Sequence, residues 1–422
     1  MRCILLSLLF LTVLSAQSLD HAALAKDLSR QVIELRAKQA ASAVDQVSRQ
    51  ALEHAELAGD PLILARCLHN RALILRELHL YKEAEPLHRR VLSILQSSKA
   101  DPAGIAISYQ SLASLLHFLN RQSEAEQLLR SAAALPLQNH PLTLALILNT
   151  LGQVKFALGR DREAEELFKR AINSHAVIVK SFASIPTGDE FRYTLVPGET
   201  SERLLALILN NQGLVAYRLG QLKQAEKCWR RSISLYRQRP GEATGAVAAP
   251  IANLGELLRV LKRFPEAAEQ LTEALSLFEV TLGPESYRAA LVLNLLGNTL
   301  SETGDLGQAR RLYDRSLAMT RKVAGEEHSQ IGIILSNLAE LEVRLGANAR
   351  ALELYTRSLD ILEKSLGLTH PQLIPTLTGQ ASLLKKLGRS KDAKRIEARR
   401  NSIQAASARP GMVSLEDLQN GH

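Results

Sequence analysis

The sequence predicts an all-α fold, an α-solenoid of stacked antiparallel helix hairpins, because small residues recur at a fixed spacing. The first series stands every 42 residues, at Gly213, Gly255, Gly297, Ala339 and Ala381. The second series follows the first by twelve residues, at Ala225, Ala267, Ala309, Ala351 and Ala393. Aromatic residues make up only 4% of the chain, which is typical of helices that pack through small and aliphatic side chains.

The N-terminal residues 1–18 are predicted to be a signal peptide. Arg2 gives a short positive start, an apolar run follows from Cys3 to Leu14, and Ser15-Ala16 offers small residues for cleavage. The run is shorter than the roughly 20 residues that cross a bilayer. We therefore expect export to the periplasm or the extracellular space, with an uncleaved membrane anchor as the alternative.

Residues 19–58 keep a helical pattern and are predicted to form a degenerate hairpin that caps the array. Ala43 and Ala51 fall one period before Ala84 and Leu92, so this segment follows the register of the later units. A terminal unit with a divergent sequence is typical of solenoids.

Residues 59–404 contain eight hairpins, each with one small residue in its first helix and one in its second. We call these positions the first and the second marker. The first markers are Ala72, Ala113, Gly152, Gly213, Gly255, Gly297, Ala339 and Ala381. The second markers are Ala84, Ala125, Ala164, Ala225, Ala267, Ala309, Ala351 and Ala393. Both series change spacing together, which indicates that each pair of markers belongs to one unit.

Glycines between the two helices and apolar residues at helical spacing complete the unit. Gly159, Gly220, Gly304, Gly346 and Gly388 share one turn position, which suits a left-handed helix cap. An apolar residue stands eight positions after most second markers, but Asn401 takes that place in the last unit. A polar last unit is what the end of a solenoid needs. Residues 405–422 are predicted to be a disordered tail.

One interval breaks the period, because 61 residues separate Ala164 from Ala225. The extra residues lie at about 179–200 and carry Phe182, Phe191 and Tyr193 in a chain that is otherwise poor in aromatics. Two interpretations stay open: an outward loop without a task, or a binding loop that covers part of the array.

The unit resembles the tetratricopeptide repeat. It shares with that family a small residue in the first helix, Gly at the turn, Ala in the second helix and an aromatic residue four positions later. The aromatic residues are Phe168, Trp229, Tyr313 and Tyr355. The 42-residue length and the stretch Leu366–Pro371 are similar to the repeats of kinesin light chains. The resemblance implies a right-handed superhelix in which first helices line a concave groove.

An incomplete column of asparagines is the candidate peptide-binding site. Asn70, Asn211, Asn253 and Asn337 each stand two positions before a first marker. An Asn amide both donates and accepts, as an extended peptide backbone requires. The column also resembles the asparagine ladder of O-linked N-acetylglucosamine transferase. Alternatively, these side chains bond to neighbouring helices and fix the stacking of repeats.

Catalytic activity is not expected from this chain. It lacks His-Glu-x-x-His, Cys-x-x-Cys, Gly-x-Ser-x-Gly and a glycine-rich phosphate loop, so we predict no catalytic residues, no metal site and no cofactor. Cys67 and Cys228 lie three units apart. Because each repeat of a solenoid contacts only its neighbours, we do not expect these two cysteines to form a disulfide. The formal charge of +9 favours acidic partners, but the platforms of aromatic and basic residues that bind nucleic acids are missing.

These observations favour a non-enzymatic, exported scaffold that binds an extended segment of a protein partner in its groove. Two alternatives stay open. One is a structural component of a cell-envelope complex that oligomerises or works through the ends of the solenoid. The other is an enzyme with a site in the 179–200 insertion.

Overall fold

The computed structural model describes residues 20–37, 41–181, 201–238 and 245–406. The predicted signal peptide, residues 407–422 of the predicted tail and the insertion residues Phe182, Phe191 and Tyr193 lie outside the described residues. Residues 405–406, predicted as the start of the tail, are helical. The described part contains eighteen helices: α1 His21–Ala37, α2 Ala41–Ala58, α3 Pro61–Glu77, α4 Tyr81–Ser97, α5 Pro102–Phe118, α6 Gln122–Ala133, α7 Pro141–Ala157, α8 Asp161–Ser181, α9 Ser201–Arg218, α10 Leu222–Arg237, α11 Ala248–Val260, α12 Phe264–Leu282, α13 Tyr287–Thr303, α14 Leu306–Ala324, α15 Ser329–Arg344, α16 Asn348–Leu366, α17 Leu373–Lys386 and α18 Ser390–Ala406.

Consecutive helices pair as antiparallel hairpins, which confirms the predicted all-α solenoid fold. Within α1–α8 and within α10–α18, the first helix of a hairpin also packs on the second helix of the hairpin before it. The chain divides into two compact units, Met1–Ile208 and Leu209–His422. The boundary falls inside α9, next to the interval where the period of the sequence is broken.

Close contact at the first marker holds each hairpin together. A Cβ atom built on Gly297 would lie 2.6 Å from Cε1 of Tyr313, and one on Gly152 would lie 2.7 Å from the ring of Phe168. Both rings are buried. Glycine at the first marker therefore makes room for the aromatic residue of the second helix.

The turn between the two helices is left-handed in every predicted repeat. Residues seven positions after the first marker have positive φ where they are Gly, as at Gly304 with φ 95°. The same position has φ 60° at His79, 59° at Asn120 and 60° at Lys262. The turn geometry is thus common to all eight repeats although the sequence marks it with Gly in only five.

Among the described helices, proline is the first residue only within the compact unit Met1–Ile208. Pro61, Pro102 and Pro141 are the first residues of α3, α5 and α7, where a missing N–H costs no hydrogen bond. Pro284 and Pro371 instead lie in the turns before α13 and α17. Proline at these two positions therefore belongs to the turn between hairpins and not to the following helix.

A buried ion pair joins the N-terminal hairpin to the next one. The guanidinium of Arg71 in α3 donates hydrogen bonds to the carboxylate of Asp45 and, at 3.0 Å, to Oγ of Ser48 in α2. Arg71 is 6% exposed. The hydrogen bond from Arg71 is the main reason why the pKa of Asp45 lies below its usual range. Residues 21–58 thus form a packed pair of helices, and their capping role stays a prediction.

Arginine at the start of several second helices connects successive hairpins. Arg263 donates to Glu266 in its own helix at 2.6 Å and to Glu226 of the preceding hairpin at 2.8 Å. In the first unit of the chain, Arg121 repeats this arrangement with Glu124 at 2.6 Å and Glu85 at 2.8 Å. These pairs are exposed to solvent, so they contribute little to stability and mainly fix orientation.

We expect Gly297→Ala to lower the free energy of unfolding by about 1–3 kcal/mol, because the new Cβ overlaps the Tyr313 ring. Gly307→Ala in the same hairpin is the matched control, since its Cβ would meet nothing nearer than 4.0 Å. The control should be neutral or more stable by up to about 1 kcal/mol. Urea unfolding followed by circular dichroism measures both, and equal effects would contradict the packing explanation.

Candidate functional site

Two members of the predicted asparagine column connect neighbouring hairpins. Nδ2 of Asn253 in α11 donates to Oδ1 of Asn210 in α9, at 2.9 Å. Nδ2 of Asn337 in α15 donates to Oδ1 of Asn294 in α13, also at 2.9 Å. Asn253 is fully buried. These hydrogen bonds support the stacking interpretation of the column at both positions.

The other two predicted asparagines are also buried, and the structure does not bring all four together. Asn211 is 2% exposed in α9. Asn70 is 6% exposed in α3, which belongs to the other compact unit, and its Nδ2 has no hydrogen-bond partner among the described residues. A direct contact between any of these side chains and a peptide stays a prediction.

Sequence reasoning missed the partners of the column, which stand three positions before the first marker. Asn210 and Asn294 occupy this position. The sequence signal is the spacing, because Asn210 precedes Asn253 by 43 residues and Asn294 precedes Asn337 by 43 residues. The equivalent pair between α11 and α13 is apolar, because it consists of Ala252 and Leu295, which are both buried. One junction between hairpins thus shows how the polar pair can be replaced.

The last hairpin departs from the asparagine column for a steric reason. Gly379 stands at the column position in α17, and a Cβ there would lie 2.4 Å from the hydroxyl oxygen of Tyr355. The Tyr355 ring comes from the preceding hairpin and is 1% exposed. Glycine at this position therefore admits an aromatic side chain that an Asn would exclude.

We expect Asn253→Ala to lower the free energy of unfolding by about 1–3 kcal/mol, because it leaves the buried Oδ1 of Asn210 without a donor. The double variant Asn210→Ala/Asn253→Leu copies the Ala252 and Leu295 pair and should recover most of this loss. Urea unfolding of the single and double variants gives the comparison. A double variant that is less stable than Asn253→Ala would show that the polar pair is not interchangeable with the apolar one.

A second set of first-helix residues is polar and partly exposed. Asn298 and Glu302 lie one turn apart on α13, and Glu340 and Arg344 take the same positions on α15, 42 residues later. Residues four apart on a helix share a face. We call these four residues the first-helix surface. It lies within Leu209–His422 and is the candidate binding surface.

Tyrosine hydroxyls of the second helices donate hydrogen bonds to residues of the first-helix surface. The hydroxyl of Tyr313 donates to Oδ1 of Asn298 at 2.8 Å, and the hydroxyl of Tyr355 donates to Oε2 of Glu340 at 2.8 Å. Burial raises the pKa of both tyrosines, and the nearby Glu340 carboxylate adds to this for Tyr355. Both hydroxyls therefore stay protonated as donors, and the polar side chains above them are held in fixed positions.

One ion pair and one hydrogen bond cross between successive first helices along this surface. Arg259 of α11 donates to both carboxylate oxygens of Glu256, at 2.7 and 2.8 Å, and forms an ion pair with Glu302 of α13. Burial alone would lower the pKa of Arg259, but the hydrogen bonds and charge of Glu256 outweigh it and raise the pKa. Arg344 donates to Oγ of Ser301 at 2.9 Å. Glu302 keeps 40% of its side chain exposed.

A surface pocket of about 470 Å³ lies elsewhere, between α10, α11 and α12. Ile233 and Leu254 form part of its wall, and the basic residues Arg230 and Arg237 also line it. Arg237 is paired with Glu273 at 2.6 Å, and Arg230 with Glu226 at 2.9 Å. Both guanidinium groups of this pocket therefore already have carboxylate partners, just as Glu302 of the first-helix surface has Arg259.

His88 is the most unusual titratable group of the first compact unit. It takes the aromatic position of the α3–α4 hairpin, is fully buried, and has no hydrogen-bond partner on either ring nitrogen among the described residues. Its ring packs edge-on against His69, with centroids 5.7 Å apart. Burial, and then the charges of His69 and Arg76, hold the pKa of His88 well below its usual range.

Because folded His88 stays neutral while the unfolded chain binds a proton below about pH 6.5, stability should fall as the pH drops from 7 to 5. We expect His88→Leu to reduce this slope by up to about 1.4 kcal/mol per pH unit. Leucine fits here because Leu129 takes the equivalent position beside Ala113. The exposed His79, changed to Asn, is the control and should keep the wild-type slope; urea unfolding between pH 5 and 7 measures it.

The described ranges contain neither a candidate metal site nor a candidate membrane span. In residues 20–37, 41–181, 201–238 and 245–406, no three His, Cys, Asp or Glu side chains are grouped so that they could hold a metal ion. Over the same ranges, no helix combines the length and the apolar character that crossing a bilayer demands. Cys67 and Cys228 are both buried free thiols.

Comparison with known proteins identifies the class. A tetratricopeptide repeat model matches residues 63–138, 247–322 and 330–399, and a second tetratricopeptide repeat model matches residues 144–179. The chain therefore belongs to the tetratricopeptide repeat family, as the sequence predicted. Such repeats are typical of protein–protein interaction and usually not catalytic. Comparison with curated proteins finds no match.

Several solved structures are similar to this chain at low sequence identity. The apo form of the quorum sensor NprR from B. thuringiensis is 15% identical, covers 83% of this chain and 91% of its own, and has a TM-score of 0.58. The apo form of RapI is 13% identical, with 81% and 87% coverage and a TM-score of 0.55. A Podospora anserina putative kinesin light chain is 18% identical, with 50% and 99% coverage and a TM-score of 0.41.

Proposed function

We propose that the protein is a non-enzymatic scaffold that binds an extended segment of a partner polypeptide along the first-helix surface. One observation carries the proposal: polar side chains repeat at equivalent positions on α13 and α15, are partly exposed, and are held by tyrosine hydroxyls beneath them. A regular row of oriented donors and acceptors suits a peptide backbone, which also repeats its polar groups at regular intervals. Preorganised side chains lose little entropy on binding.

Two asparagines of the column act in this proposal as supports for the surface. Asn253 and Asn337 tie successive first helices together and so set the spacing between the polar residues that contact the partner. End-to-end assembly is less well supported, because the exposed residues of α18 include no large apolar side chain that a second copy could cover.

Peptides selected from a random dodecapeptide library on the wild-type protein test the surface directly. We expect Glu302→Gln/Glu340→Gln to weaken binding of such peptides about tenfold, because it removes two oriented carboxylates. Fluorescence anisotropy gives the affinities.

The matched control is Glu269→Gln/Glu353→Gln, which removes the same charge from exposed positions on the second helices α12 and α16. It should change the affinity less than about twofold. If both double variants weaken binding equally, or neither does, the first-helix surface is not the binding site.

We also propose that the protein is exported with residues 1–18 removed, on the basis of the N-terminal positive residue, apolar run and small residues. Intact-mass spectrometry of protein purified from cells that express the full sequence measures this. A mass reduced by the N-terminal segment, in a periplasmic or secreted fraction, is expected. A full-length mass in the membrane fraction would favour the uncleaved anchor instead.

A further inference from the structure

Positive charge is concentrated at the last described hairpin. Residues 385–400 contain eight basic and two acidic residues, which gives this segment a formal charge of +6 out of +9 for the whole chain. The remaining positions of the chain are therefore close to balanced. A partner that recognises positive charge would meet its strongest attraction at α18 and the turn before it.

Both acidic residues of the segment form ion pairs within the hairpin. Nζ of Lys385 lies 2.6 Å from Glu397, and Arg389 lies 2.7 Å from Asp392. Lys391, Lys394 and Arg395 are exposed and have no ion pair within the described part of the chain. They lie three and four residues apart and so share one face of α18. We call these three residues the α18 basic surface.

Packing does not require these charges. The position of Arg395 is occupied by Glu in several earlier second helices, at Glu166, Glu269 and Glu353. Position 394 corresponds to Leu352, which packs against the core formed by Ala339 and Tyr355. Relative to α16, the last second helix thus carries two cations in place of an apolar and an acidic residue, as α14 also does with Arg310 and Arg311. Solvent exposure alone would be met by either sign of charge.

We propose that the α18 basic surface docks an acidic segment of a partner polypeptide. Clustered cations on one helix face attract carboxylates, and the guanidinium of Arg395 can bind one of them through two parallel hydrogen bonds. Residues 373–406 contain no aromatic side chain on which a nucleic-acid base could stack. The exposed residues of α18 also include no large apolar side chain to insert into a bilayer.

A fluorescein-labelled glutamate dodecapeptide is the probe, and fluorescence anisotropy at low and at physiological salt gives its affinity. The test variant is Lys391→Glu/Lys394→Glu/Arg395→Glu. The control is Lys82→Glu/Lys223→Glu/Lys227→Glu, which changes the net charge equally at exposed positions of other second helices. Positions 82 and 223 match 391, and position 227 matches 395, in the register of the repeat.

The proposal expects the test variant to bind the glutamate peptide about tenfold more weakly or worse, and the control to stay within about twofold of wild type. The milder Lys394→Gln/Arg395→Gln variant removes two charges without reversing them and should give an intermediate loss of affinity. Such a graded loss is expected from weaker charge attraction but not from misfolding. Equal losses in test and control variants would show that net charge alone attracts the peptide. Binding of phosphatidylglycerol vesicles or oligo(dT) by a wild-type protein that ignores the peptide would equally overturn the proposal.

Discussion

The close approach of the two helices in each hairpin is the constraint on which the rest of the structure depends. A ring or a branched side chain of the second helix occupies the space above the first marker, so that position must stay small, as Gly297 beside Tyr313 shows. The distance between the helices then fixes where every other side chain of the repeat points. It also places the Tyr313 hydroxyl beneath Asn298, so the packing contact and the binding surface have one origin.

Stacking of hairpins uses polar contacts that could otherwise have served a ligand. The buried bond between Asn253 and Asn210 and the bond between Asn337 and Asn294 join successive first helices. Arg263 does the same for second helices. Because Nδ2 of Asn253 and of Asn337 is already bonded inside the array, the side chains that remain for a partner are those one turn further along each first helix. The first-helix surface therefore lies one turn away from the asparagine column that the sequence suggested.

The period of 42 residues was sufficient to predict the fold and the helix pairs, because packing in a solenoid repeats with the sequence. It was not sufficient for the asparagine pairs, whose partners lie 43 residues apart and on different helices. The left-handed turns at His79 and Lys262 were also missed, since the sequence marks this conformation only where Gly occurs. The division into two compact units, and the solvent exposure that separates Asn253 from Glu340, likewise depend on three-dimensional packing.

Site-specific photo-crosslinking tests most directly whether partners bind along the first helices. Ser382 is exposed on α17, at the position equivalent to Asn298 and Glu340, and Glu353 is exposed on the second helix α16. Separate variants would carry Ser382→benzoylphenylalanine or Glu353→benzoylphenylalanine, with a library-selected peptide as the partner. We predict a crosslink from position 382 and none from position 353. A crosslink from position 353 alone would contradict the account.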